Sequence, residues 1–220
     1  MKKRIIISVL LLIIICAVGI MSYSPLRNKI EQVFFATKVY NLLNSEEYMN
    51  LHQVITKDSA NSRTIMWQSL NDREDFILEY KQENEDEILQ AKPQKSVLDI
   101  DNKKIYIYAV TLENLKADMV YDYRLGFENN RSDWYKLKTA KENNNKFKAL
   151  IFPDSQSNDY TEWKSLAMNA WQNNQDSDFF INMGDLVDNG YDLVQWNGWF
   201  DGVEPMVNNI PVAPVQGNHE

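Results

Sequence analysis

Cysteine is nearly absent from this chain. Its 220 residues hold one, Cys16, and that one lies inside an apolar run near the amino terminus. No disulfide framework can brace the body, so cysteine usage says nothing about its redox compartment. Histidine is almost as scarce, with only His52 and His219. Basic residues are in deficit too: 23 Lys and Arg stand against 31 Asp and Glu, for a net charge of −8. An acidic body lacks the basic face that phosphate neutralisation demands, so no nucleic-acid partner is expected. The same acidity keeps a protein soluble. A small phosphorylated substrate stays open, because metal ions can meet its charge locally.

What is present points to a folded core. Hydrophobic residues make up 44% of the chain and aromatics 12%, with six Trp and eleven Tyr. Rings of that size are kept mainly when they are buried. The length suits one large domain or two small ones.

Lys2, Lys3 and Arg4 precede Ile5 to Met21, seventeen residues without a charge. A basic flank before an apolar run is held on the cytoplasmic side, and the following chain is exported. The run is long for a signal-peptide core and short for a spanning helix. Residues 1–24 are therefore expected to be a signal peptide or a membrane anchor, with an extracytoplasmic, secreted or membrane-attached body in either case. Residues 25–51 carry Ile30, Val33, Phe34, Val39, Leu42 and Leu43 at helix-like spacing and are expected to form a helical spacer.

From His52 to Ala140 the texture becomes short strand-like runs between polar turns: Arg63–Leu70, Phe76–Tyr80, Val97–Ile100, Ile105–Leu112, Val120–Phe127 and Trp134–Thr139. Such spacing predicts an antiparallel β-sandwich over 52–140. Leu115 stands six residues before Tyr121, and Trp67 lies in the second strand-like run. That pattern resembles fibronectin type III domains, in which the Leu and Tyr form a tyrosine corner and the Trp is core. His52 is expected to be a surface or packing residue.

Lys141–Lys146 (KENNNK) breaks the pattern and marks a boundary. After it the order is a buried strand (Phe147–Phe152), a helix (Thr161–Gln172), a buried strand (Phe179–Met183), a helix (Leu193–Val207) and a strand (Pro211–Val215). This is the order of a layered α/β domain, expected over 147–220. Trp163, Trp171, Trp196 and Trp199 fall at helical spacings and are read as core.

Each candidate strand runs into residues suited to metal. The first leads to Pro153-Asp154-Ser155-Gln156, the second to Gly184-Asp185-Leu186-Val187-Asp188-Asn189-Gly190, the third to Gly217-Asn218-His219-Glu220. Carboxylate and amide oxygens suit hard cations, and imidazole suits Zn or Fe. Gly184 and Gly217 let the chain turn sharply where the second and third strands end.

In that order the segments resemble the signature of the calcineurin-like metallophosphoesterases. With a fibronectin-like sandwich in front, the layout is similar to purple-acid-phosphatase-like members. The resemblance implies a β-sandwich followed by the first part of an α/β metallophosphoesterase domain, and hydrolysis of phosphate mono- or diesters at two divalent or trivalent ions (Fe, Mn or Zn). It implies metal ligation by Asp154, by Asp185 as the bridge, and by Asn218, with His219 holding the phosphate or protonating the leaving group. Gln156, expected to ligate metal through its amide oxygen more weakly than imidazole would, stands where the family commonly has His, and Asp188 where true purple acid phosphatases have a metal-binding Tyr. A purple colour is therefore not expected. The family completes its site with later histidines, which would follow Glu220. Asp188 and Asn189 are read as turn formers, and Glu220 as a support for His219. The alternative reading is an anchored, non-catalytic interaction protein with a degenerate phosphoesterase half.

Overall fold

The computed structural model describes residues 47–100, 103–143, 146–157 and 159–220, with Pro25, Lys29, Ile30, Val33 and Thr37. The leader and most of the expected spacer lie outside the described residues. Among those described, no helix is long and apolar enough to cross a membrane.

Alternation builds the first unit. In β2 (Arg63–Ser69) every second residue is buried, which sends Arg63, Ile65, Trp67 and Ser69 inward. β1 (Met49–Val54) pairs antiparallel with β2, β2 with β6 (Lys103–Leu112), and β6 with β5 (Gln94–Ile100). The facing sheet is centred on β7 (Val120–Phe127), which pairs with β3 (Ile77–Gln82), β8 (Asn130–Arg131) and β9 (Tyr135–Lys138). β4 (Leu89–Ala91) extends it beyond β3. Between the sheets Trp67 and Tyr108 stack 5.7 Å apart, and Phe76 meets Tyr108 edge-on at 4.9 Å. Fully burying one such side chain contributes about 1.5–3 kcal/mol.

The expected corner is present. The Tyr121 hydroxyl accepts the Lys116 backbone N–H at 2.8 Å, and Leu115 is buried beside it. The first strand begins at Met49, three residues before the expected boundary and inside the stretch read as helical spacer.

The second unit is β10 (Ala149–Phe152), α1 (Thr161–Gln172), β11 (Phe179–Asn182), α2 (Leu193–Val207) and β12 (Val212–Pro214). β10, β11 and β12 are parallel neighbours. α1 and α2 pack together closely because Gly202 has no side chain. A Cβ there would meet the Trp163 ring at 2.5 Å. The helices cover a core of Phe152, Trp163, Trp171, Phe180, Trp199 and Val203, and Trp196 packs at its margin.

Two features depart from the sequence reading. The run over 147–152 was expected to be a buried strand, yet β10 is the edge of its sheet and Ile151 is 64% exposed. Only one of its faces meets the helices. The two units also share one sheet: β12 pairs parallel with β1 at Val212 and Val54, giving seven strands in the order β10-β11-β12-β1-β2-β6-β5. Further bonds fasten the junction. The Tyr123 hydroxyl donates to the Asn208 carbonyl at 2.7 Å, and Gln53 Nε2 donates to the same oxygen at 2.9 Å. His52 packs its ring 5.1 Å from Phe200 of α2, and burial lowers its pKa below the usual 6.5. It is a packing residue.

Candidate metal centre

The carboxyl ends of β10, β11 and β12 lie side by side because the strands are parallel and adjacent. In such sheets this is where ligands are held. The three segments that follow are tied to one another through the backbone. The Ser155 and Gln156 N–H groups donate to the Asp185 carbonyl at 3.1 and 2.9 Å. Asp185 Oδ1 accepts the N–H of Asn218 at 3.0 Å and of His219 at 3.3 Å. Asp185 is thus the hub that joins the first and third segments.

That closeness depends on two glycines. Gly184 has φ +95°, and a Cβ there would lie 3.0 Å from the Gly217 Cα. A Cβ on Gly217 would lie 2.0 Å from Asp185 Oδ1. Asp185 itself has φ 46°, in the left-handed region. Asp tolerates this better than most residues, but it still costs on the order of 1–3 kcal/mol. Strain of that kind persists only where the surroundings over-determine it, and here the hydrogen bonds on both sides do so.

Glu220 stabilises the same turn. Oε1 accepts the N–H groups of Leu186 and Val187, at 2.6 and 3.3 Å, and Oε2 accepts those of Asp185 and Gly217, at 3.2 and 2.6 Å. The sequence reading set Glu220 beside His219. The structure instead has it gathering the backbone of two segments. The partner of His219 is Asp188, whose carbonyl lies 2.7 Å from the imidazole Nδ1. That contact, with the charges of Asp185, Asp188 and Asp154, raises the His219 pKa above 6.5. Asn189 opens a turn closed by the Asp192 N–H on its carbonyl at 2.8 Å, Asp188 lies in the bend before it, and the Gln195 side chain accepts both their N–H groups at 2.7 and 3.0 Å.

Beneath the first segment lies a polar cluster that pattern reading missed. Asn182, fully buried, donates through Nδ2 to the Pro153 carbonyl at 2.8 Å. Its Oδ1 accepts from Ser155 Oγ at 3.0 Å and from Trp199 Nε1 at 3.1 Å. An Asn at the end of an apolar strand was the available signal. The cluster fixes the bend that leads into Asp154.

Asp154 is exposed, with Oδ1 accepting the Gln156 N–H at 3.2 Å and Oδ2 facing Gln156 Nε2 at 3.3 Å. Gln156 Oε1 is buried without a hydrogen-bond partner among the described residues. Asn218 is exposed, and Asp185 and His219 are half-buried. Among the described residues no three His, Cys, Asp or Glu side chains stand close enough to hold a metal by themselves. The available donors are two carboxylates and two amide oxygens around the Asp185 hub, with one amide oxygen lacking a partner. This set fits a hard cation. It lacks the imidazoles that would favour a soft or borderline pair.

Residues 48–139 match the family model for the purple acid phosphatase N-terminal domain, and residues 132–220 match that for the calcineurin-like phosphoesterase. Two curated Arabidopsis thaliana proteins are similar over 133 residues. "Probable inactive purple acid phosphatase 27" is 27% identical and "Probable inactive purple acid phosphatase 24" is 28% identical. Each match takes in 52% of this chain and 22% of the relative, so the chain spans about a fifth of their length. Among solved structures, purple acid phosphatase PPD1 from yellow lupin seeds aligns at TM-score 0.65 and 21% identity, covering 79% of this chain and 35% of that one. A structure of PhoD aligns at TM-score 0.54 and 13% identity, covering 80% of this chain and 40% of that one. At such identities these alignments speak to the fold.

Proposed function

We propose, from the premise that this chain joins a purple acid phosphatase N-terminal domain to a calcineurin-like phosphoesterase domain, that the protein is an extracytoplasmic, metal-dependent hydrolase of phosphate mono- or diesters. One observation carries this reading: Asp185 accepts hydrogen bonds from the Asn218 segment and, through its carbonyl, from the Asp154 segment. The three donor-bearing strand ends are thereby tied to one another.

Asp154, Gln156, Asp185 and Asn218 are the residues that would hold the metal ions. When bound, a pair of such ions supplies Lewis-acid polarisation of the phosphoryl group and a nucleophile at neutral pH. The chain's own part is positional. Asp185 has Oδ1 committed to the backbone, which fixes the direction in which the rest of its carboxylate points. His219, held through Nδ1 by Asp188, leaves Nε2 to meet a phosphate oxygen or deliver a proton to the leaving group. The second metal requires donors beyond those supplied by the described residues. The apolar leader with its basic flank supports export of the body.

A second reading has a specific observation behind it. The curated relatives are named inactive phosphatases, and Gln156 is a weaker ligand for Zn or Fe than imidazole. The protein would then be an anchored, non-catalytic interaction protein. Metal analysis of the full-length protein, with turnover of an aryl phosphate ester in added Mn, Zn or Fe, separates the two. Metal-dependent turnover that falls at least a hundredfold in Asp185→Asn supports the enzyme. No turnover with any of the three metals supports the second reading.

A further inference from the structure

At the opposite end of the parallel strands, where β11 and β12 begin, the two units leave an open groove of about 1420 Å³. Its cations are Lys57, Arg63, Lys136, Lys138, Lys141 and Lys146, against four carboxylates. Three of these cations are themselves paired: Lys136 with Glu83 and Asp122, Lys138 with Asp178 at 3.8 Å, and Lys141 with Asp118 at 3.7 Å. The carboxylates are engaged: Glu83 pairs with Lys136 at 2.7 Å, Asp176 with Lys148 at 2.5 Å, and Asp178 accepts the Lys148 N–H at 3.0 Å. Asp58 accepts from Asn61.

Arg63 lines this groove and is 2% exposed. One of its nitrogens, Nη2, donates to the Lys138 carbonyl at 2.9 Å. Nε and Nη1 are buried and have no partner among the described residues, and no carboxylate pairs with the guanidinium. Ser177, in the phosphoesterase half, lines the same groove; its hydroxyl is likewise buried with no partner among the described residues, and Ser177 is 4% exposed. A buried cation without a counter-charge is costly. Burial lowers the Arg63 pKa to about 10. An oxyanion accepting from a guanidinium makes the strong, charge-assisted kind of hydrogen bond that would offset this cost.

We infer that the groove is an oxyanion site, distinct from the candidate metal centre, in which Arg63 from the sandwich and Ser177 from the phosphoesterase half bind a phosphate or carboxylate group. Phosphate and carboxylate share the chemistry that a guanidinium and a hydroxyl recognise, and Lys57 at the rim would draw either inward. The site spans the junction of the two units, so its occupant would also brace them together.

The test titrates the full-length protein with inorganic phosphate and, separately, with succinate, in the presence of a chelator so that the metal centre does not report. Binding is read from the fluorescence of Trp171, which lines the groove, and from the thermal midpoint. Saturable binding is expected, at least tenfold weaker in Arg63→Met and severalfold weaker in Ser177→Ala. Saturation by phosphate alone identifies a phosphate site, and competition by succinate identifies a carboxylate site. Failure of both anions to saturate the native protein overturns the inference, as does an unchanged affinity in both variants. Should Arg63→Met not fold, Ser177→Ala decides: weaker binding upholds the site and equal binding removes it.

Discussion

Asp185 Oδ1 accepts the Asn218 backbone N–H at 3.0 Å, and a Cβ on the intervening Gly217 would fall 2.0 Å from that oxygen. One carboxylate oxygen thus occupies the space a side chain would need. The contact explains why a glycine must stand before Asn218 and why the strand ends can approach so closely.

Gly217→Ala is expected to push the two segments apart. Overpacking of this kind costs about 1–3 kcal/mol, and the neighbouring atoms are backbone or a committed carboxylate, so little can yield. Thermal denaturation should show the loss, and any metal-dependent turnover should fall at least tenfold. An unchanged midpoint with unchanged turnover would mean that the loops relax freely.

Glu220→Ala removes the acceptor of four backbone N–H groups. Each hydrogen bond to a charged group contributes about 1.5–3 kcal/mol. Hydrogen exchange at Leu186, Val187 and Gly217 should accelerate at least tenfold while Leu78 and Leu125 in the sandwich stay protected. Uniform acceleration across both units would instead indicate global unfolding.

Trp199→Phe keeps most of the ring volume but deletes the N–H that donates to Ser155 and Asn182. The loss is expected to cost about 0.5–1.5 kcal/mol, since Asn182 Oδ1 keeps the Ser155 hydroxyl as a donor. Equilibrium denaturation checks the magnitude.

Glu79 supplies a pH test. Burial pushes its carboxyl up, but hydrogen bonds from Arg131 and Arg124, at 3.0 and 2.8 Å, outweigh that and hold it below the ordinary 4.5. A depressed folded value makes the stabilisation fully present above the unfolded pKa and lost as the pH falls through the folded one. Glu79→Gln should therefore destabilise at pH 7, by on the order of 1 kcal/mol because both arginines are partly exposed. The gap from the native protein should close as the pH drops below 4.5. A gap that persists in acid would mean that packing, not charge, is what Glu79 contributes.

Local pattern carried much of this fold. The helices Thr161–Gln172 and Leu193–Val207 fall on the spans their periodicity predicts. The Leu115 to Tyr121 spacing gave the corner because its hydrogen bond closes within one turn of chain. The three donor segments were legible because each sits directly after an apolar run. The Asn182 cluster was not, because a lone polar residue in a strand does not announce its partners. Nor was the role of Glu220, since its four donors include three that lie more than thirty residues away.

By itself, then, the sequence determined where strands and helices lie and which residues follow them, since those depend on neighbours a few positions apart. Only the tertiary structure decided that β1 and β12 join two units into one sheet, that Asp188 holds His219, and that Arg63 and Ser177 face one groove. Each of these is a pairing between distant segments. Such pairings are chosen by packing and by the need to satisfy buried polar groups, neither of which short-range pattern encodes.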